Sequence, residues 1–198
     1  LHLKGLSFET MPVHLVRDGG EQHSPGFHQA NPQELVPVLE HGQRMLRQSL
    51  AILEYLDEVW PQPALLPATA RERQRVRALA QLVACDIHPL NNLRVLQYLE
   101  CEWGVPQPER DNWVRHWMVA GFDAFEAMLA EHPSTGTFCD GNAPTLADCC
   151  LVPQLYNARR FGVDLAPYPT MLRIERACLE LPPFQNALPE RQPDAPGA

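Results

Sequence analysis

Apolar positions recur at two spacings along the chain, and the change from one to the other falls near residue 60. Before it the runs are short. Residues 7–15 alternate apolar and polar side chains in the manner of a strand. Residues 36–40 are apolar and β-branched, His41-Gly42 reads as a turn pair with glycine free to take positive φ, and residues 43–46 return as a second strand. Leu50, Ile52, Leu53, Leu56 and Val59 then fall at helical spacing behind Ser49, a favoured N-cap. This predicts a helix starting at Gln48-Ser49 and ending near Trp60. Residues 1–5 read as the last turn of a helix stopped by Gly5, and residues 17–30 as a loop with one helical turn.

Beyond residue 60 the pattern is helical throughout. Prolines bound a linker over residues 61–68, a natural domain boundary. Residues 71–102 form one long apolar repeat with Pro89 inside it, which must kink or split it. Residues 110–131 carry Trp113, Trp117, Gly121, Phe122, Phe125 and Leu129 on one face, which reads as core. Thr145-x-x-Asp148 is a capping box with Asp in place of Glu, opening a helix over 146–161 that Pro153 should bend. Residues 169–181 and 183–188 are the last helices, and the Pro-rich tail from about 190 is expected to be loose. The domains predicted are 1–60, a small α/β unit, and 69–198, all helical.

Charge and cysteine usage narrow the function classes. The 198 residues carry a formal net charge of −8, which argues against a nucleic-acid surface. No apolar run reaches the roughly 18 residues of a membrane span. Cys85, Cys101, Cys139, Cys149, Cys150 and Cys178 are scattered without a Cys-x-x-Cys pair. That is not a disulfide framework, and it predicts a reducing cytoplasm.

The stretch from Asn31 to Ser49 holds the best candidate chemistry. Pro37 cannot donate to a ladder, so Val36-Pro37 belongs at a strand edge or bend. The Val36 backbone would there be free to pair with an extended peptide. Gln48-Ser49 at a helix start offers N–H groups, a hydroxyl and the positive dipole end to a carboxylate. One peptide-like ligand with a terminal carboxylate would use both. The plainer readings are an ordinary loop proline and a plain cap.

Asn31-Pro32-x-x-x-Val36-Pro37 followed by Gln48-Ser49 resembles the glutathione site in the thioredoxin-like domain of glutathione transferases. Leu3-Lys4-Gly5-Leu6, Asp18-Gly19-Gly20, the run from Cys85 to Asn92, Thr145-Leu146-Ala147-Asp148 and Val163-Asp164-Leu165 extend the likeness along the chain. Together they resemble the zeta class, the maleylacetoacetate and maleylpyruvate isomerases. The resemblance implies a thioredoxin-like α/β domain followed by an all-helical domain. The implied activity is glutathione-dependent cis-trans isomerisation of a maleyl diacid, by a homodimer. It implies glutathione contacts at Gln22, Val36, Pro37, Gln48, Ser49, His88, Asn92, Leu93 and Arg94, and diacid contacts at Arg94 and Arg160. Gln22 reads equally well as a solvent-exposed side chain. Leu93 stands where some relatives have arginine, so Arg94 would serve instead or one substrate contact is lost.

Other readings compete. Cys85 and His88 at i, i+3 have the spacing of a metal pair, but no second pair matches them, so no metal site is expected. With Asn91 and Asn92 they read as satisfied polar groups in a kinked helix or as the wall of an inter-domain cleft. Arg159 and Arg160 also suit a helix C-terminus as cations. The family carries its catalytic serine in a first strand and helix. The helix tail at Leu1 gives the expectation that these lie upstream, so no catalytic residue is expected in the sequence itself. Two alternatives follow: a general glutathione transferase that conjugates electrophiles, and a transferase-like binding protein without catalysis.

Overall fold

The structure, a computed structural model, describes residues 1–195. It divides into two units: Leu1–Pro63 joined by the segment from Pro182 onward, and Ala64–Leu181.

The first unit opens on a 3-10 turn, His2–Lys4, stopped by Gly5 at φ 64, as its helix-tail pattern predicts. The strand expected over residues 7–15 does not form. Alternation alone does not make a strand; a partner backbone must complete the ladder. The one sheet among the described residues is a hairpin elsewhere, and Met11 stays 79% exposed. Residues 17–30 hold more helix than expected: 3-10 turns at Arg17–Gly19 and Glu21–His23, then α1, Pro25–Ala30, capped by the Ser24 hydroxyl accepting from Phe27 N.

Strands β1, Val38–His41, and β2, Arg44–Arg47, pair antiparallel in the register Val38↔Arg47 to His41↔Arg44. The two-residue loop falls on Gly42-Gln43, with Gly42 at φ 62. Helix α2, Ser49–Val59, packs its Ile52 and Leu56 inward. Lys4 joins the two ends of this region. Its ammonium is fully enclosed and donates to Asp57 Oδ1 at 2.6 Å, Trp60 O at 2.7 Å and Pro63 O at 2.6 Å. The carbonyls belong to the α2 C-terminus and the chain just after it, where a cation also meets the negative end of the helix dipole.

The second unit is all helical. Helix α3, Ala70–Gln81, starts at a Thr69–Glu72 capping box. The long repeat then splits around Pro89. A π-helical turn, Leu82–Ile87, and a 3-10 turn, His88–Asn91, separate α3 from α4, Leu93–Cys101. Helix α5, Gln107–Ala130, begins three residues earlier than the pattern suggested, because Pro108 is tolerated in a first turn. Its fully buried residues are Val114, Met118, Phe122, Phe125 and Leu129, while Trp113 and Trp117 lie half-buried beside them. Helices α6, Leu146–Arg160, and α7, Pro169–Leu179, complete the unit.

Asp148 governs the start of α6. Its carboxylate accepts from Thr145 N at 2.7 Å and Thr145 Oγ1 at 2.8 Å, closing the capping box, and also from Cys139 N at 2.9 Å. Burial pushes its carboxyl pKa up, and these donors pull against that rise.

Helix α8, Pro182–Asn186, lies beside the His2–Lys4 turn with Phe184 buried. It therefore groups with the first unit, although its helical pattern alone assigns it to the second. The tail is less loose than expected: Pro189–Arg191 is a 3-10 turn, and Gln192 Nε2 donates to Asn186 O and Leu188 O. Residues 196–198 of that tail lie outside the described residues.

Gly121 marks the closest approach in the helical unit. A Cβ there would stand 2.3 Å from Ile87 Cγ1, and Ile87 is itself fully buried. Gly121→Ala should therefore lower stability by about 1–3 kcal/mol through overpacking. Urea denaturation checks this, and shortening the neighbour in Gly121→Ala/Ile87→Ala should recover part of the loss.

Candidate functional site

In the first unit the site begins with Asn31. This buried side chain donates from Nδ2 to Leu35 O at 2.6 Å and accepts Gln33 N on Oδ1 at 3.1 Å. The bracketed turn carries Glu34 at φ 56 and ends at a cis Val36-Pro37 peptide. Val36 is 44% exposed. Because β1 starts only at Val38, Val36 stands outside the ladder, and none of the backbone hydrogen bonds among the described residues uses its N–H or C=O. An edge residue of this kind can pair with an added extended backbone.

Gln48, not Ser49, is the N-cap of α2; Ser49 is the first helical residue. The chain enters the helix through Gln48 at φ 70, and the Gln48 amide turns away to donate to Gln33 Oε1 at 2.7 Å. Among the described residues no side chain caps α2 at Gln48, which leaves first-turn N–H groups available beside the exposed Ser49. Gln22 is not the solvent-exposed side chain that its sequence equally allows. At 5% exposure it donates from Nε2 to Leu15 O at 3.2 Å and meets His23 Nε2 at 3.1 Å. Its Oε1 is buried without a hydrogen-bond partner among the described residues.

In the second unit the split at Pro89 sets the candidates. His88 opens the 3-10 turn, and neighbouring atoms crowd its imidazole enough to lower its pKa by desolvation, although part of the ring still meets solvent. Asn91 is buried with both amide atoms unpaired among the described residues. Asn92 caps α4 by accepting Arg94 N at 3.2 Å, so its side chain is already engaged. Leu93 is the half-buried first residue of that helix, and the exposed Arg94 has no carboxylate partner among the described residues.

The two arginines ending α6 separate clearly. Arg159 forms a two-pronged ion pair with the buried Glu175, which raises its pKa. Arg160 is exposed, rests its guanidinium 5.6 Å from the Phe161 ring centroid, and meets no carboxylate among the described residues. Arg159 is thus structural, and Arg160 has a guanidinium to offer a ligand.

Four of the six cysteines are poor nucleophiles. All six are free. Burial pushes Cys149 and Cys150 up to about 12, and raises Cys139 and Cys178 as well. Among the described residues no three His, Cys, Asp or Glu side chains converge on a metal geometry. Cys85 and His88 also sit on different helical turns, π and 3-10, so their i, i+3 spacing does not mark one α-helical face. The first unit thus offers an unpaired backbone edge at Val36 and a helix start at Gln48-Ser49, features suited to an extended peptide-like ligand with a carboxylate.

Sequence reasoning passed over Lys4, Glu34, His23 and His28. A lysine near a helix end reads as a surface cation, and the pairing of His23 and His28 with Glu34 depends on a turn geometry that no local pattern reveals.

Comparison with known proteins bears on this geometry. Residues 1–64 match the family model described as glutathione S-transferase, N-terminal domain, and residues 107–180 the one described as its C-terminal domain. A probable maleylacetoacetate isomerase of Vibrio cholerae is 51% identical over 195 residues, covering 98% of this chain and 90% of that protein. A maleylpyruvate isomerase of a Ralstonia species is 52% identical over 196 residues, covering 98% and 91%. The crystal structure of a Methylobacterium extorquens maleylacetoacetate isomerase with bound malonate and glutathione superposes with a TM-score of 0.95 at 42% identity, covering 99% of this chain and 91% of that one.

Proposed function

Because the chain belongs to the glutathione S-transferase family, among its maleylacetoacetate and maleylpyruvate isomerases, we propose that it is a glutathione-dependent cis-trans isomerase of a maleyl diacid. The observation that carries the proposal is the pair of features on residues 31–49: an unpaired Val36 backbone ahead of β1 and an uncapped α2 start at Gln48-Ser49.

The residues present fit glutathione. Val36 N–H and C=O pair with its cysteinyl backbone, with Pro37 fixing the bend. Gln48 and Ser49 hold its γ-glutamyl carboxylate through the α2 N–H groups and the Ser49 hydroxyl. Gln22, whose buried Oε1 has no hydrogen-bond partner among the described residues, is a further proposed glutathione contact. When bound, glutathione supplies the sulfur nucleophile whose reversible addition lets the substrate double bond turn. Desolvation raises the pKa of four of the chain's thiols, Cys139, Cys149, Cys150 and Cys178, which suits them poorly to that role.

The protein's own work is positioning and electrostatics. In the helical unit the proposed glutathione contacts are His88, whose pKa is lowered by desolvation, Asn92, Leu93 and Arg94. Arg94 and Arg160 receive the substrate carboxylates. The Methylobacterium relative has malonate and glutathione bound, and malonate is a diacid of the kind these arginines suit. A two-fold homodimer in a reducing cytoplasm completes the proposal.

The test is a spectrophotometric assay of maleylpyruvate isomerisation by the 198-residue chain. Turnover that disappears when glutathione is left out is the expected result. Conjugation of a neutral aryl halide without isomerisation would overturn it. Arg160→Ala should raise KM for the diacid about 10- to 100-fold, the loss of one charge-assisted carboxylate clamp, with glutathione affinity nearly unchanged. Equal loss of both would remove Arg160 from the substrate site.

A further inference from the structure

Glu34 belongs to none of the expected binding positions, yet several parts of the first unit meet on it. Its two carboxylate oxygens accept separately, one from His23 Nδ1 at 2.6 Å and the other from His28 Nδ1 at 2.9 Å. A carboxylate only accepts, so both rings carry hydrogen on Nδ1. His23 Nε2 is then the acceptor for the Gln22 amide at 3.1 Å, whose other hydrogen goes to Leu15 O. On the N-terminal side of Glu34, Gln33 receives the Gln48 amide. Two residues beyond Glu34 stands Val36.

The backbone gives the carboxylate its importance. Glu34 sits at φ 56, in the left-handed region that a glutamate enters only where its surroundings fix it. Asn31 holds the turn from below through Leu35 O and Gln33 N. His23, from the Glu21–His23 turn, and His28, from α1, hold it through the side chain. The other charged groups on the neighbouring turns are Arg17, Asp18 and Glu21. Glu21 is engaged with Arg17 and with the His14 backbone N–H, so it does not compete for the imidazoles in the arrangement seen.

We infer that Glu34, gripped by His23 and His28, is a positioning residue: it holds the 31–35 turn in its left-handed form and thereby presents the Val36 backbone to the cysteinyl unit of glutathione. This rests on the reading of Val36 as the pairing residue, and the experiment separates the two.

Calorimetry on the full chain measures Kd for glutathione and for an analogue methylated on the cysteinyl nitrogen, which cannot donate to Val36 C=O. The wild-type protein should prefer glutathione. Glu34→Ala should weaken glutathione binding about tenfold and shrink that preference. His23→Ala/His28→Ala should do the same, and adding Glu34→Ala to it should cost nothing more. Glu34→Gln keeps one accepting oxygen in the same shape and should restore part of both. A Glu34→Ala protein, or a His23→Ala/His28→Ala protein should the first not fold, that matches the wild type in affinity and preference overturns the positioning role. A wild-type protein that binds the two ligands alike overturns the Val36 pairing itself, and the inference with it.

Discussion

Alanine in place of Asp148 is expected to lower the stability of the fold by about 3–5 kcal/mol, the largest effect of any single substitution considered for this chain. The carboxylate is fully buried and accepts three hydrogen bonds, from Thr145 N, Thr145 Oγ1 and Cys139 N. Truncation leaves those donors enclosed and unpaired, and each such group costs about 1–3 kcal/mol. It also opens a void at the head of α6, whose Leu146, Ala147, Leu151 and Leu155 form the floor of the helical unit. Asp148→Asn should lose nearly as much, because its amide nitrogen would face a donor. Urea denaturation with matched m-values measures the difference. A loss under about 1 kcal/mol for Asp148→Ala would show that the three bonds are replaceable.

Lys4→Met should come next, at about 3–4 kcal/mol. Methionine matches the lysine stem in length, so the substitution isolates the ammonium. Without it the buried Asp57 carboxylate loses its counter-charge, and the Trp60 and Pro63 carbonyls lose their donor. The double variant Lys4→Met/Asp57→Leu removes both charges and should be more stable than the sum of the single losses, the signature of a buried pair. Strict additivity would mean that the ammonium and carboxylate act independently.

The hairpin, the helix behind it, the capping box at Thr145 and the split at Pro89 were legible because each rests on a local rule. Gly42 permits the positive φ of its turn, Thr145 and Asp148 lie one helical turn apart, and Pro89 cannot continue an α ladder. What escaped was non-local. Residues 7–15 have the alternation of a strand but no strand beside them among the described residues, and alternation does not report the neighbour. Lys4 lies 53 residues from Asp57 in sequence, and nothing around either residue announces the other. Glu34 acts through a backbone angle, and a glutamate gives no hint of positive φ. Within the candidate site, Arg159 and Arg160 are adjacent and chemically alike; only Glu175 on α7 tells them apart.

The first unit closes with the segment from Pro182 onward, whose α8 lies against the His2–Lys4 turn. A ribosome makes those two pieces far apart in time. The helical unit, Ala64–Leu181, is contiguous and can collapse as soon as it has emerged. The His2–Lys4 turn, made before the helical unit, must wait for α8, made after it, before it is covered. Synthesis order and folding order therefore run opposite ways for part of this protein, and the interval leaves apolar surface of the first unit exposed to chaperones and to other nascent chains.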